Sequence, residues 1–158
     1  MTQVPIQPGL FTLPGDPRGI RLLASRCPGC GRHHFPAAET CPYCRGDGCE
    51  AAAVGARGRI YLATVVTAAP PGYRGPVPYG FGVVELEEGL RVVTRLADAR
   101  IESLAPGTPV ELQVAPLFRN EDGDEVLSFS YAPAGARPEV APGAADAGAA
   151  GGQRGERE

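Results

Sequence analysis

Short runs in which apolar and polar residues alternate follow one another through the second half of the chain. GRIYLATVVT is rich in β-branched and aromatic residues and predicts a strand over residues 58–67. YGFGVVELEEGLRVVTRL predicts a hairpin over residues 79–96, with its turn at residues 87–89 and a bend at Gly82. These two segments predict three strands that meander.

Two further segments show the same alternation. The turn sequence RNEDGDE is flanked by PVELQVAPL (residues 109–117) and VLSFSYA (126–132). Residues 98–107, which precede both segments, predict one short helical turn. The apolar positions share one face of each strand: Val110, Leu112 and Val114 in the first, Leu127, Phe129 and Tyr131 in the second. Three meandering strands, a connector and a hairpin predict an all-β domain with a small five-stranded barrel, in an order that matches an OB-fold.

The segment AAPPGYRGPVPY, residues 68–79, joins the first two of these strands. It is rich in proline and aromatic residues, and long ordered loops of this kind often carry function. We expect Tyr73, Arg74 and Tyr79 to contact a partner or ligand. The alternative is a surface connection stiffened by proline.

Four cysteines form two pairs before the barrel. Cys27 and Cys30 are separated by two residues, ten residues follow, and Cys41 and Cys44 repeat the spacing. Each pair fits one tight turn that presents both sulfurs to the same metal, and two facing turns make a tetrahedral site of the kind preferred by structural zinc. Iron remains the alternative, because rubredoxin turns have a similar sequence. The flanking arginines and the long β-rich segment favour zinc.

The remaining side chains that could be reactive do not indicate a catalytic role. His33 and His34 are predicted to be surface residues of the cysteine-containing loop, and Cys49 is predicted to be a spare thiol without a neighbouring base. The sequence contains no Ser/His/Asp set, no Cys/His pair suited to catalysis and no phosphate-binding glycine loop. We therefore predict no catalytic residue.

Composition limits the remaining function classes. A net charge of −3 argues against a nonspecific polyanion binder. No apolar run reaches membrane-spanning length, and the first residues lack the pattern of an export signal, so a cytoplasmic location is expected. In that reducing compartment, five cysteines suit a metal site better than disulfides.

The pattern divides the chain into four segments. We predict an extended N-terminal arm over residues 1–20, in which Leu10, Phe11 and Leu13 can dock, a zinc ribbon over 21–52 and the barrel over 53–132. Residues 133–158 are mostly Ala, Gly, Pro and charged residues, and they predict a disordered tail.

The order of ribbon and barrel resembles the acyl-CoA-associated zinc-ribbon/OB-fold proteins that accompany thiolases and other thiolase-fold enzymes. The resemblance rests on four segments: RCPGCGRHHFP (26–36), TCPYC (40–44), the hairpin sequence PYGFGVVELEEGLRVVTRL (78–96) and SLAPGTPVELQV (103–114). It implies a rubredoxin-like zinc ribbon whose ligands are Cys27, Cys30, Cys41 and Cys44.

The resemblance also implies a function. It indicates a noncatalytic subunit in a hetero-oligomer with a thiolase-fold enzyme, helping to bind or admit an acyl-CoA. Partners in the family include thiolases, thiolase-like aldolases, hydroxymethylglutaryl-CoA synthase and MaoC-type hydratases. Many members begin with an amphipathic helix, whereas IQPGLFTLPGDPRGI is not helical here. This difference favours a stand-alone subunit, similar to those of benzylsuccinate-type degradation of aromatic compounds.

Two other function classes remain open from the sequence. Ribbons and OB barrels both serve in nucleic-acid binding, which requires aromatic stacking platforms in a positive groove. The candidates for such a platform are few: Tyr61, Tyr79, Phe81, Arg91 and Arg95. An electron carrier would require iron in place of zinc.

Overall fold

The computed structural model describes residues 2–97 and 100–136, so most of the predicted tail, residues 137–158, lies outside the described part of the chain. Nine strands and one 3-10 helix (Ile101–Leu104) are present in that part. The strands are β1 (Gln3–Pro5), β2 (Leu22–Arg26), β3 (His33–His34), β4 (Glu50–Val54), β5 (Arg57–Val66), β6 (Tyr79–Leu86), β7 (Arg91–Leu96), β8 (Pro109–Arg119) and β9 (Glu125–Pro133).

Strands β5 to β9 close into the predicted barrel. The meander β5–β6–β7 and the hairpin β8–β9 are antiparallel, and β5 pairs with β8. A parallel contact between Leu96 of β7 and Tyr131 of β9 completes the closure. The short helix lies between β7 and β8, where the sequence predicts a helical turn. The all-β fold with an OB-type barrel is thus confirmed.

Gly82 marks a close approach between two strands of the barrel. The pairing of β5 with β6 shifts between Ile60 and Leu62, so one extra residue of β5 bulges outwards at this point. A Cβ atom on Gly82 would collide with the backbone oxygen of Leu62. Gly82, where the sequence predicts a bend, therefore makes room for a bulge in the neighbouring strand.

The barrel and the ribbon share one hydrophobic core. Strands β3, β2 and β4 form the ribbon sheet in that order. Leu22, Ala24 and Val54 of this sheet are buried in the same cluster as Val84 and Tyr131 of the barrel. A segment with so few apolar residues cannot form a core alone, and packing on the barrel covers them.

The two sheets meet at Gly55, between β4 and β5. Its backbone has a φ of +81°, its N–H donates to Oε1 of Glu88 at 3.1 Å, and its carbonyl accepts from the Tyr131 hydroxyl at 2.7 Å. Tyr131 is fully buried, so its hydroxyl and that carbonyl satisfy each other away from water. This joint connects the ribbon to the barrel through two hydrogen bonds, of which the one from Tyr131 is buried.

The N-terminal arm lies against the barrel rather than apart from it. β1 pairs in parallel with β9, a contact that the three-residue sequence QVP gives no pattern to predict. Phe11 is buried 5.9 Å from the ring of Phe129, and Leu13 is 42% exposed. At the other end, Pro133 still belongs to β9, so the described chain continues in ordered form to residue 136, beyond the predicted start of the tail.

Candidate metal centre and aromatic loop

Each cysteine pair lies in a turn of the same construction. In the first turn, the N–H of Cys27 donates to the Arg32 carbonyl and the N–H of Gly31 to the Cys27 carbonyl. The second turn repeats these two bonds, from Cys41 to the Gly46 carbonyl and from Arg45 to the Cys41 carbonyl. The fifth residue of both turns has a positive φ, 72° at Gly31 and 61° at Arg45. The first turn therefore has glycine where the conformation requires it, and the second does not.

The four sulfurs of the two turns converge on one point. Cys27 Sγ lies 3.5 Å from Cys44 Sγ, Cys30 Sγ lies 3.7 Å from Cys41 Sγ, and all four lie within 4.8 Å of one another. A tetrahedral metal with bonds of about 2.3 Å to sulfur separates its ligands by about 3.8 Å. The four cysteines are thus positioned to bind a metal ion.

Backbone N–H groups favour the thiolate form at the buried end of each turn. The N–H of Cys30 is the largest influence that lowers the pKa of Cys27 to about 6, and the N–H of Cys44 likewise lowers the pKa of Cys41. A metal ligand must be a thiolate, so these donors favour the ligand form of Cys27 and Cys41.

Cys49 lies beside the sulfur cluster without belonging to it. Its thiol is 4.0 Å from the Gly46 carbonyl. Burial, followed by the neighbouring Cys27, raises the pKa of Cys49 to about 11, so the thiol is protonated at neutral pH. Its role as a spare thiol stays a prediction.

The prediction that both histidines lie on the surface is wrong for His34. His34 is 4% exposed, and its Nε2 lies 3.2 Å from the Ala38 carbonyl. Pairing of β3 with β2 sets His34 opposite Ser25 and turns its ring inwards, whereas His33 is partly exposed. A two-residue strand is too short for the alternation that would have revealed this.

The loop between β5 and β6 has a stacked aromatic centre. The ring of Tyr73 stacks on Tyr79 at 4.7 Å, and the Tyr73 hydroxyl donates to the Pro76 carbonyl at 3.0 Å. The guanidinium of Arg95 lies over Tyr79 at 5.3 Å. Burial raises the pKa of Tyr73. Arg95 thus helps to fix the loop, a role that its position in the sequence does not indicate.

The three residues predicted to make contacts differ in accessibility. Arg74 is exposed and lies over the Phe118 ring at 5.0 Å, while Tyr73 is half-buried. Tyr79 is only 8% exposed, so the expectation that it offers an open stacking platform is wrong: Tyr73 and Arg95 cover its ring.

A cleft of about 540 Å³ lies between the first cysteine turn and the hairpin β6–β7. Arg32, His33 and Tyr43 line it from the ribbon, and Glu85 and Arg91 from the hairpin. Arg32 lies over the Tyr43 ring at 5.1 Å, and Arg91 pairs with Glu85 at 2.9 Å. The first cysteine turn is therefore adjacent to one end of the meander.

Comparison with known families assigns the class of protein. Residues 18–50 match the rubredoxin-like zinc ribbon domain of ChsH2, and residues 51–115 match its C-terminal OB-fold domain. The chain belongs to this family of zinc-ribbon/OB-fold proteins, and the resemblance drawn from the cysteine and hairpin motifs is confirmed.

Similar proteins are known from several sources. A DUF35 domain-containing scaffold protein from Methanocaldococcus jannaschii is 35% identical over 70% of this chain and 78% of its own length. Benzoylsuccinyl-CoA thiolase subunit BbsA from Thauera aromatica is 32% identical over 78% and 84%. A solved chain described as Ltp2-ChsH2(DUF35) aldolase superposes with a TM-score of 0.57 at 26% identity, covering 72% of this chain and 85% of that one.

Among the residues that the structure describes, no helix has the length and apolar character needed to cross a bilayer.

Proposed function

We propose that this chain is a noncatalytic, zinc-binding accessory subunit of a thiolase-type acyl-CoA enzyme. It binds the catalytic subunit and helps to hold or admit the CoA ester. The observation that carries this proposal is the similarity to the thiolase subunit from Thauera aromatica, which extends over 124 residues and so through both ribbon and barrel. The scaffold-protein names of other relatives support the same role.

Zinc is the metal that the cysteine site fits best. Cys27, Cys30, Cys41 and Cys44 would hold it in a closed tetrahedral shell, and its contribution would be structural, because a closed shell leaves no position for substrate. The arginines around the turns offset the negative charge of four thiolates around a divalent ion.

Metal analysis tests this assignment directly. The purified protein should contain about one equivalent of zinc, and Cys41→Ser should lose most of it and unfold at a lower temperature. Cys49→Ser is the matched control, since Cys49 lies outside the sulfur cluster, and it should retain full zinc content. Stoichiometric iron with visible absorption, or half occupancy in Cys49→Ser, would contradict the assignment.

The aromatic loop is the proposed point of contact with the partner or with CoA. Arg74 is exposed and suited to a phosphate or carboxylate, while stacking of Tyr73 on Tyr79 holds the loop in shape. We assign Arg74 and Tyr73 the direct contact and Tyr79 the supporting role. Replacing all three with Ala should weaken the complex or raise KM for the CoA ester, while zinc content stays unchanged.

Co-purification tests the function as a whole. Tagged chain should bring down a thiolase-fold protein from the native source, identified by mass spectrometry and then produced separately. We expect neither the chain alone to act on an acyl-CoA nor the catalytic subunit alone to be fully active, and the mixture should restore carbon–carbon chemistry on the CoA ester. If no thiolase-fold protein binds, the proposal fails.

A second candidate is the accessory subunit of a thiolase-like aldolase. The superposition on the solved aldolase complex favours it. The same co-purified enzyme separates the candidates, because a thiolase consumes free CoA in cleavage and an aldolase does not.

A further inference from the structure

The outer face of the meander β5–β6–β7 carries apolar side chains where solvent would favour polar ones. Leu62 is 49% exposed, Phe81 37% and Val93 63%. Leu62 reaches this face because of the bulge in β5, which leaves both Tyr61 and Leu62 exposed although they are neighbours in sequence. A strand without the bulge would place only one of the two outside.

Strand pairing arranges this face in three rows. The central row is apolar and runs from Leu62 through Val83 to Val93. The two outer rows are Arg59, Glu85 and Arg91 on one side, and Thr64, Phe81 and Arg95 on the other. Three arginines therefore surround the apolar row together with one glutamate, in a chain whose net charge is −3.

We propose that this outer face, named the meander face, is the docking surface for the catalytic subunit, whose matching surface has an apolar centre and an acidic rim. The inference rests on the proposed function and names the surface through which it operates. The local excess of positive charge on an acidic chain is the feature that selects an acidic partner surface.

The meander face is continuous with the aromatic loop. The Phe81 ring lies 6.5 Å from Tyr79, on which Tyr73 stacks. Three rows on three strands cover about 300 Å², since strands lie about 4.8 Å apart and alternate residues about 6.8 Å apart. A stable interface needs about 800 Å² from each partner, so neighbouring surface must contribute. The adjoining loop with Arg74 supplies such surface.

The test uses the catalytic subunit identified by co-purification, with binding measured by titration. The variant Leu62→Asp/Val93→Asp places charge in the apolar row and should raise Kd about 100-fold. Leu13→Asp is the matched control: Leu13 is 42% exposed and lies outside the meander, and its replacement should leave Kd within about twofold. Thermal unfolding and zinc content establish that each variant is folded.

A second variant tests the acidic rim proposed for the partner and leaves the apolar row of this chain unchanged. Arg59 is exposed, and Arg59→Glu should raise Kd about tenfold at low salt and reduce the dependence of Kd on ionic strength. Both effects would support the inference, since loss of fold would not alter salt dependence in this way.

Other outcomes would overturn the inference. If wild type binds and both variants bind equally well, the docking surface is elsewhere while the proposed function stands. If wild type does not bind the enzyme, both the docking surface and the proposed function are refuted. A concentration-dependent homodimer of the chain alone, or tight binding of single-stranded DNA, that is abolished by the double Asp variant would assign the meander face to a different occupant.

Discussion

Replacing Gly55 with Ala tests whether the ribbon and barrel are held together by the joint described above. The change has two costs. Gly55 has a φ of +81°, where an L-residue is disfavoured by about 1–2 kcal/mol. The new Cβ would also lie 2.6 Å from the Tyr131 hydroxyl and 3.2 Å from a methyl carbon of each of Leu22 and Leu86, and overpacking of this kind costs about 1–3 kcal/mol.

The sum is a loss of about 2–5 kcal/mol in the free energy of unfolding, a large part of the roughly 5–15 kcal/mol available to a domain of this size. Urea unfolding followed by circular dichroism measures it, and Tm should fall by roughly 10 °C. Gly89→Ala is the matched control. Gly89 has a φ of +87° with no atom within 4 Å of the added Cβ, so it carries only the backbone cost.

A double-mutant cycle isolates the steric part. Tyr131→Phe removes the hydroxyl that the added Cβ would strike, so Gly55→Ala should cost about 1–2 kcal/mol less in that background. If Gly55→Ala costs no more than Gly89→Ala, or if its cost is additive with Tyr131→Phe, the close packing at the joint is not what stabilises it.

Three further predictions concern the cysteine turns and the joint. Arg45→Gly should stabilise the protein by about 0.5–1 kcal/mol, because Arg45 has a φ of 61°, and Gly31→Ala at the equivalent place should destabilise it; a loss in both variants would contradict the argument. Chelation of the metal should lower Tm in a single transition, since ribbon and barrel share one core; two separate transitions would show that they unfold independently. Burial raises the pKa of Tyr131, so its protonated form stabilises the fold below the unfolded value near pH 10, and that stabilisation is lost as pH rises further. Wild type should therefore lose about 1.4 kcal/mol more per pH unit above about pH 10 than Tyr131→Phe, and parallel curves would refute it.

Local patterns predicted the elements of the barrel and the cysteine turns well. Buried and exposed positions largely alternate along β6, β7 and β8, so the apolar pattern of each strand is enough to indicate it. The two CxxC spacings likewise indicate their turns from neighbouring residues alone. Gly31, with a φ of 72°, supplies the positive φ that the first of these turns requires.

Long-range packing could not be predicted in the same way. β1 consists of three residues that form a strand because they pair with β9, more than a hundred residues away. Tyr79 resembles an exposed aromatic in sequence, and its burial depends on Tyr73 and Arg95, which approach from a loop and from another strand. The role of Gly55 likewise cannot be predicted from the sequence, because it depends on the contact with Tyr131.

The candidate metal site and the meander face adjoin each other at the cleft, where Glu85 and Arg91 belong to both the cleft and the face. The first cysteine turn and the hairpin line a common cleft, at which the row containing Arg91 begins, and the aromatic loop adjoins the row containing Arg95 at the opposite end. The joint at Gly55 fixes the ribbon against the barrel, so a metal bound by the four cysteines would order the turn that forms one edge of the cleft. If the meander face docks the catalytic subunit and the cysteine site holds a metal, removing that metal should weaken docking through the residues of the cleft. The apolar row should stay intact, because the barrel alone builds it.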